Sequence, residues 1–169
     1  MIIYAHRANA EGPGSGENSR LAVEACLDDG LGVEVDVRCV DGQLWVGHDD
    51  PLWVADLALL RRPKVMCHAK DVVAADKLSA LGLTGFCIDV DRYALCSDGS
   101  VWTNYPCRVV VSSAIACSPE LVGGLEGRRA FFERVRGCRG VCTDYPREFR
   151  SWFADDLHPG APVVRTEAS

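Results

Sequence analysis

Residues able to do acid–base or metal chemistry interrupt apolar runs at five places: His6-Arg7, Glu17-Asn18, Glu34-Val35-Asp36, His48-Asp49 and His68-Ala69-Lys70. Glu34 and Asp36 are two positions apart on an alternating run, so in an extended chain they share one face. Two carboxylates on one buried face repel each other unless a cation lies between them. Oxygen donors completed by water suit Mg²⁺ or Ca²⁺. Taken alone, the same run could equally be an edge strand whose carboxylates face water. His6 and His48 are two of only four histidines, and both lie at the ends of apolar runs. Imidazole titrates near neutral pH, so the two could form an acid–base pair, although a single histidine beside a strand is more often structural. The planar fork of Arg7 fits a phosphate oxygen, or it is an ordinary surface arginine. Lys70 shares a face with His68, where an enclosed ammonium would need an anion. Otherwise it marks the end of a strand.

The elements that must position these groups alternate between strand and helix. Ile2–Ala5 reads as a first strand. Asn18 or Ser19 caps a helix carrying Leu21, Ala22, Ala25 and Cys26 on one face, and Gly30 closes it. Val33, Val35 and Val37 alternate with Glu34 and Asp36. Asp41-Gly42 then turns the chain into a returning run at Leu44–Gly47. The pattern next predicts a helix over Pro51–Leu60, a strand at Val65–Ala69, a helix over Asp71–Leu81 and a strand at Gly85–Asp89. Val101–Tyr105 and Arg108–Ser112 are further strand candidates. Pro119 can open a helical turn, Glu126–Arg136 has the pattern of an amphipathic helix, and Gly140–Thr143 is a last strand before a helix from Pro146 to Asp156. Such alternation implies an α/β protein with a parallel sheet, open or closed. A closed barrel usually needs about 250 residues, and Ile88–Ser118 has no helical pattern. The expectation is therefore a shortened, irregular (β/α)8 TIM-type barrel with helices lost in its second half. Residues 1–157 would form one domain, with a frayed tail at 158–169.

Composition narrows the function classes. The chain has 169 residues, 48% of them apolar, which is enough for one core. A formal net charge of −6 argues against a general nucleic-acid surface. Binding an anion would then need a metal or a local basic cluster. Nine cysteines without a CxxC pair do not make a zinc finger, and they read as reduced thiols of a cytoplasmic protein. The sequence holds no apolar stretch near the roughly 20 residues of a membrane span.

In order and spacing, His6-Arg7, Glu17-Asn18-Ser19, Glu34-Val35-Asp36-Val37, Asp41-Gly42 and His48-Asp49 resemble the N-terminal signature of glycerophosphodiester phosphodiesterases. That signature is His-Arg-Gly, Glu-Asn-Thr, Glu-x-Asp-Val, Asp-Gly and His-Asp. Gly140-Val141-Cys142-Thr143-Asp144-Tyr145-Pro146 resembles the family's closing strand. The likeness covers residues 1–50, with thinner support at 65–71 and 140–146. It implies that His6 and His48 are the general acid and base and that Glu34 and Asp36 bind a divalent metal, Mg²⁺ first, with Mn²⁺, Ca²⁺ or Zn²⁺ as alternatives. It also implies that Arg7 and Lys70 contact phosphate. The substrate would be a small phosphodiester, cleaved directly or through a cyclic phosphate.

The chain departs from that pattern in three ways. His68 stands where the family's Glu-x-Lys places its third carboxylate, which makes His68 a candidate metal ligand and admits transition metals. Ala8 replaces the usual glycine and Ser19 the usual threonine. The short stretch between His48 and His68 lacks the insertion that helps shape the substrate pocket, so the site should be more open. Two other readings follow from these departures. One is a binding module that keeps the site without turnover. The other is a zinc hydrolase of another class.

Overall fold

The computed structural model describes residues 1–104, 111–117 and 124–157. The short apolar runs become strands: β1 at Ile2–Ala5, β2 at Gly32–Val40, β3 at Gln43–Val46, β4 at Trp53–Val54 and β5 at Val65–Ala69. They continue with β6 at Gly85–Cys87, β7 at Tyr93–Leu95, β8 at Val101–Asn104, β9 at Ala114–Cys117 and β10 at Gly140–Thr143. Helices α1 (Arg20–Asp28), α2 (Leu57–Leu60), α3 (Val72–Ala80), α4 (Gly124–Val135) and α5 (Pro146–Leu157) lie between them, and His6–Ala8 form a 3-10 turn.

One sheet contains all ten strands, in the order β4-β3-β2-β1-β10-β9-β8-β7, with β5 on the other edge of β2 and β6 beyond it. The length of β2 explains the branch. Gly32 and Val33 pair with β1, and Val33–Val37 pair in parallel with β5. The outer half, Val37–Val40, forms a hairpin with β3 through Asp41-Gly42. Both turn residues have positive φ, 50° and 77°, as the tightest hairpin turn requires.

The chain is therefore not an alternating (β/α)8 barrel. It is a mixed sheet curled into a half-barrel with five helices among the described residues. Local connections account for the difference. After β2 the chain returns as β3 and β4 instead of entering a helix. After β6 it forms the hairpin β7–β8, paired antiparallel from Tyr93↔Thr103 to Leu95↔Val101. The link from Asn104 to Ala114 is shorter than the roughly dozen residues that a helical crossover takes. At the open side, β6 meets the β7–β8 hairpin through a hydrogen bond from Ser97 N to Gly85 O (2.9 Å) and the stacking of Phe86 on Trp102.

Several boundaries also move. Within Pro51–Leu60 only Leu57–Leu60 is helical, because Trp53–Val54 pairs with β3 and the Trp53 indole donates to Asn18 O at 2.8 Å. Ser19 is the cap of α1, its hydroxyl accepting from Ala22 N. Asp71 caps α3 rather than belonging to it, accepting from Ala74 N at 2.7 Å. The expected turn at Pro119, most of the strand Arg108–Ser112 and the tail 158–169 lie outside the described residues.

Strand alternation sorts side chains into two layers. Ile3, Ala5, Val33, Val35, Val37, Val65, Cys67 and Ala69 face the helices and form the larger core, which includes Phe132 and Phe149. Tyr4, Met66, Phe86, Trp102, Ile115, Cys117 and Cys142 fill the inside of the curl. Glu34, Asp36 and His68 belong to this inner layer by the same alternation, with Asp36 beside His68 near the C-terminal end of β5.

Candidate functional site

On β2, Glu34 and Asp36 are both almost completely buried, at 1% exposure each. The β2–β5 register sets Asp36 directly beside His68. His68 Nδ1 lies 3.1 Å from Asp36 Oδ1 and 3.6 Å from Glu34 Oε1, and Lys70 Nζ is 3.5 Å from the same Asp36 oxygen. The His68 ring is held flat against Phe86, with centroids 4.7 Å apart, and Phe86 in turn stacks on Trp102.

The turn after β1 closes over this cluster. Arg7 donates its main-chain N–H to Glu34 Oε2 at 2.9 Å. Its guanidinium reaches Asp36 Oδ2 at 3.3 Å and Glu17 Oε2 at 3.2 Å. Arg7 and Ala8 both adopt left-handed backbone, with φ of 50° and 61°. That geometry normally favours glycine, and here it aims the Arg7 N–H at the carboxylate. Asn18, also left-handed at φ 57°, grips Asp36 at two points. Its amide donates to Asp36 Oδ2 and its carbonyl accepts from Asp36 N, each at 2.9 Å.

His6 and Asp144 form a second unit at the same end of the sheet. His6 Nδ1 is 2.9 Å from Asp144 Oδ1, and the Asn9 amide bridges Asp144 and Glu17 at 2.8 and 3.0 Å. Asp144 directly follows β10, which pairs with β1 in register up to Ala5↔Thr143, so the two groups are juxtaposed by strand pairing. His48 is placed differently. It follows β3, where Gly47 N donates to Asp36 O at 2.9 Å, but its imidazole is paired with Asp49 at 2.8 Å on the rim. Six of the seven candidates, His6, Arg7, Glu34, Asp36, His68 and Lys70, thus belong to the two linked clusters. His48 stands at their edge.

Protonation follows from these contacts. Burial opposes a charged imidazole, but the carboxylates of Asp36 and Glu34 outweigh it and push His68 up to about 9. Burial would likewise raise Asp36, yet His68, Asn18 and Lys70 hold it well below the usual carboxylate range. Without a metal, the cluster is therefore two carboxylates neutralised by cations.

Glu34, Asp36 and His68 could also hold a metal ion, since each offers a ligand atom and these atoms lie within 4.8 Å of one another. Asp36 Oδ1 is buried with no aligned hydrogen-bond donor, although His68 Nδ1 and Lys70 Nζ stand 3.1 and 3.5 Å from it, so a metal ion would take a lone pair that these cations only approach. An entering metal must displace the His68 proton, because only neutral imidazole is a ligand.

Asn9 and the holding roles of Asn18 and Asp144 were not legible in the sequence as site features. Asn18 reads there as a helix cap, Asp144 only as part of the closing-strand pattern, and Asn9 carries no signal at all. Comparison of the chain with protein-family models, with curated proteins and with solved structures returns no match.

Proposed function

We propose that the protein is a metal-dependent phosphodiesterase acting on a glycerophosphodiester-like or other small diester. The observation that carries this reading is the convergence of Arg7, Lys70 and the His6–Asp144 pair on the Glu34–Asp36–His68 cluster. Glu34, Asp36 and His68 would hold the cation. When bound, the cation supplies charge to a non-bridging phosphate oxygen. Two carboxylates suit Mg²⁺, and the His68 nitrogen extends the range to Mn²⁺ or Zn²⁺.

The chain's own groups do the rest. Arg7 and Lys70 hold phosphate oxygens as they pivot from their contacts with Asp36. Asp144 fixes the His6 ring through Nδ1, so His6 moves a proton at Nε2. His48, on the rim, is the second proton carrier. Between them they take one proton from the attacking water or substrate hydroxyl and give one to the departing alkoxide. Attack by a substrate hydroxyl releases a cyclic phosphate.

Phosphorus NMR of a panel of soluble glycerophosphodiesters, with Mg²⁺, Mn²⁺ or chelator, tests the reading. A monoester or cyclic-phosphate signal that needs both metal and His6, and disappears in His6→Ala, is the expected result. Turnover unchanged in His6→Ala or in chelator would end it.

One observation favours a second reading, a binding module without turnover: His48 is paired with Asp49 instead of the cluster. Diester binding in the same panel with no product would select it. Tightly held zinc on metal analysis would instead favour a zinc hydrolase of another class. A cytoplasmic location belongs to the same proposal. No helix of the described residues is long and apolar enough to cross a membrane, and their cysteines carry no disulfide.

A further inference from the structure

The end of the half-barrel opposite the carboxylate cluster carries a second polar cavity. It is about 220 Å³, and Tyr4, Arg61, Arg62, Lys64, Asp98 and Arg139 line it. Apart from Tyr4, the third residue of β1, these residues precede parallel strands. Arg139 leads into β10, Lys64 into β5 and Asp98 into β8, while Tyr4 points inward from β1. His68 and Asp144 lie at the opposite, C-terminal ends of β5 and β10, and Asp36 pairs beside His68.

Four of the six lining groups named are cationic, in a chain whose net charge is −6. Two of the four have carboxylate partners: Arg62 pairs with Asp28 at 3.1 Å and Arg139 with Asp98 at 3.0 Å. The other two do not. Arg61 reaches only Leu81 O, at 3.3 Å, and Lys64 only Gly30 O, at 3.1 Å. Their charges are thus uncompensated by any carboxylate among the described residues. Lys64 is held in left-handed backbone, φ 68°.

Tyr4 gives the independent observation. Only 4% of it is exposed, and its ring is wedged between Gly32 and Gly140. A Cβ on Gly32 would stand 2.6 Å from Tyr4 Cδ1, and one on Gly140 3.2 Å from Cε2, so both strands give up a side chain to seat this ring. Its hydroxyl has no hydrogen-bond partner among the described residues, and Tyr4 lines the cavity with its phenol in the fields of Asp98 and Arg139. Burial, and then Asp98, push the phenol up to about 12, which keeps it a donor across the physiological range.

We propose that this cavity is a binding site for a small soluble phosphate, either inorganic phosphate or the phosphoryl group of a small monoester, held by Tyr4, Arg61, Lys64 and Arg139. Guanidinium and ammonium donors with a phenol O–H match the several acceptor oxygens of a phosphate better than the two of a carboxylate. The cavity's size admits one such group. Asp98 opposes an anion but orients Arg139, so that a dianion meets a net positive wall.

Titration of inorganic phosphate into metal-free full-length protein at constant ionic strength, followed by calorimetry and backbone-amide NMR, tests the site. Saturable binding is expected, with shifts centred on residues 61–64, 98–100 and 139–140. Arg61→Gln with Lys64→Gln should weaken it by about tenfold or more, and Tyr4→Phe by a smaller factor. In Arg7→Gln with Lys70→Gln, at the other end of the sheet, the shifts at residues 61–64, 98–100 and 139–140 should persist. Near-UV circular dichroism checks that each variant keeps its fold. Glycerol 2-phosphate should compete and acetate should not. The proposal is overturned by the absence of saturation, by binding that survives Arg61→Gln with Lys64→Gln, by loss only in the Arg7 and Lys70 variant, or by equal competition from acetate. This outcome is independent of whether the chain turns over a diester.

Discussion

At the scale of single residues, Asn18 has the most consequence per atom. It satisfies both a side-chain oxygen and the main-chain N–H of Asp36, itself buried and charged. Asn18→Ala should therefore cost about 1–3 kcal/mol, the penalty for leaving buried polar groups without partners. Its neighbour Ser19 only caps α1, so Ser19→Ala should cost about 1 kcal/mol. Urea unfolding of the two variants separates these roles. If Asn18→Ala costs no more than Ser19→Ala, Asn18 does not secure Asp36. The Glu34–Asp36–His68 group was legible at this scale from its order and spacing, since each residue taken singly also has an ordinary structural explanation. Glu34, Asp36 and His68 do converge on one inner face, as two-residue alternation requires. Asn9 was not legible, since its partners Asp144 and Glu17 meet only after β1 and β10 pair. The rim position of His48 was hidden for a related reason. Gly47 has φ 150°, which breaks the alternation that would otherwise have fixed where the next side chain points.

At the scale of elements, strand boundaries at Ile2–Ala5, Val65–Ala69 and Gly140–Thr143 were readable because these runs are apolar on both faces and sharply bounded. Between β6 and β8 no helical period stands in the sequence, and Asp98-Gly99, a hairpin-type pair like Asp41-Gly42, marks the turn between the antiparallel β7 and β8. Close approach between strands also leaves little trace in a sequence. Gly85 of β6 faces the main chain of β5, where an added Cβ would sit 2.5 Å from Cys67 O. A main-chain oxygen cannot rotate away, so Gly85→Ala must displace β6. That displacement would strain both the Ser97–Gly85 hydrogen bond and the Phe86 stack behind His68. The expected loss is about 1–3 kcal/mol of stability. Gly82→Ala, three residues before β6 begins, meets no atom within 4 Å but has φ 64°, so it reports backbone strain alone. Thermal unfolding that ranks Gly85→Ala as the milder of the two would show that β6 can shift freely.

At the scale of the whole molecule, the two layers on either side of the sheet bury groups that resist ionisation, and this shapes the response to alkali. Burial pushes the Cys67 thiol from 9.0 to about 12, with Glu34 adding to it. Burial followed by Asp98 raises the Tyr4 phenol from 10.0 to about 12. Cys67 faces the helices and Tyr4 the inside of the curl, so both layers contribute. In each case the pKa is raised by folding, so the unfolded chain loses its proton at lower pH than the folded one. Below about pH 9 both states are protonated and the contribution is constant. From about 9 to 12 the folded state holds more protons, so stability falls as pH rises, by at most about 1.4 kcal/mol per pH unit for each group. Urea midpoints measured between pH 8 and 11 should decline for the parent protein. The decline should be shallower in Tyr4→Phe and in Cys67→Ala, whatever their absolute stability, because other alkaline titrations are common to all three. Parallel declines would mean that neither buried group governs alkaline unfolding. A shallower slope in Tyr4→Phe alone would place that control inside the half-barrel, in the layer that also seats the proposed phosphate cavity.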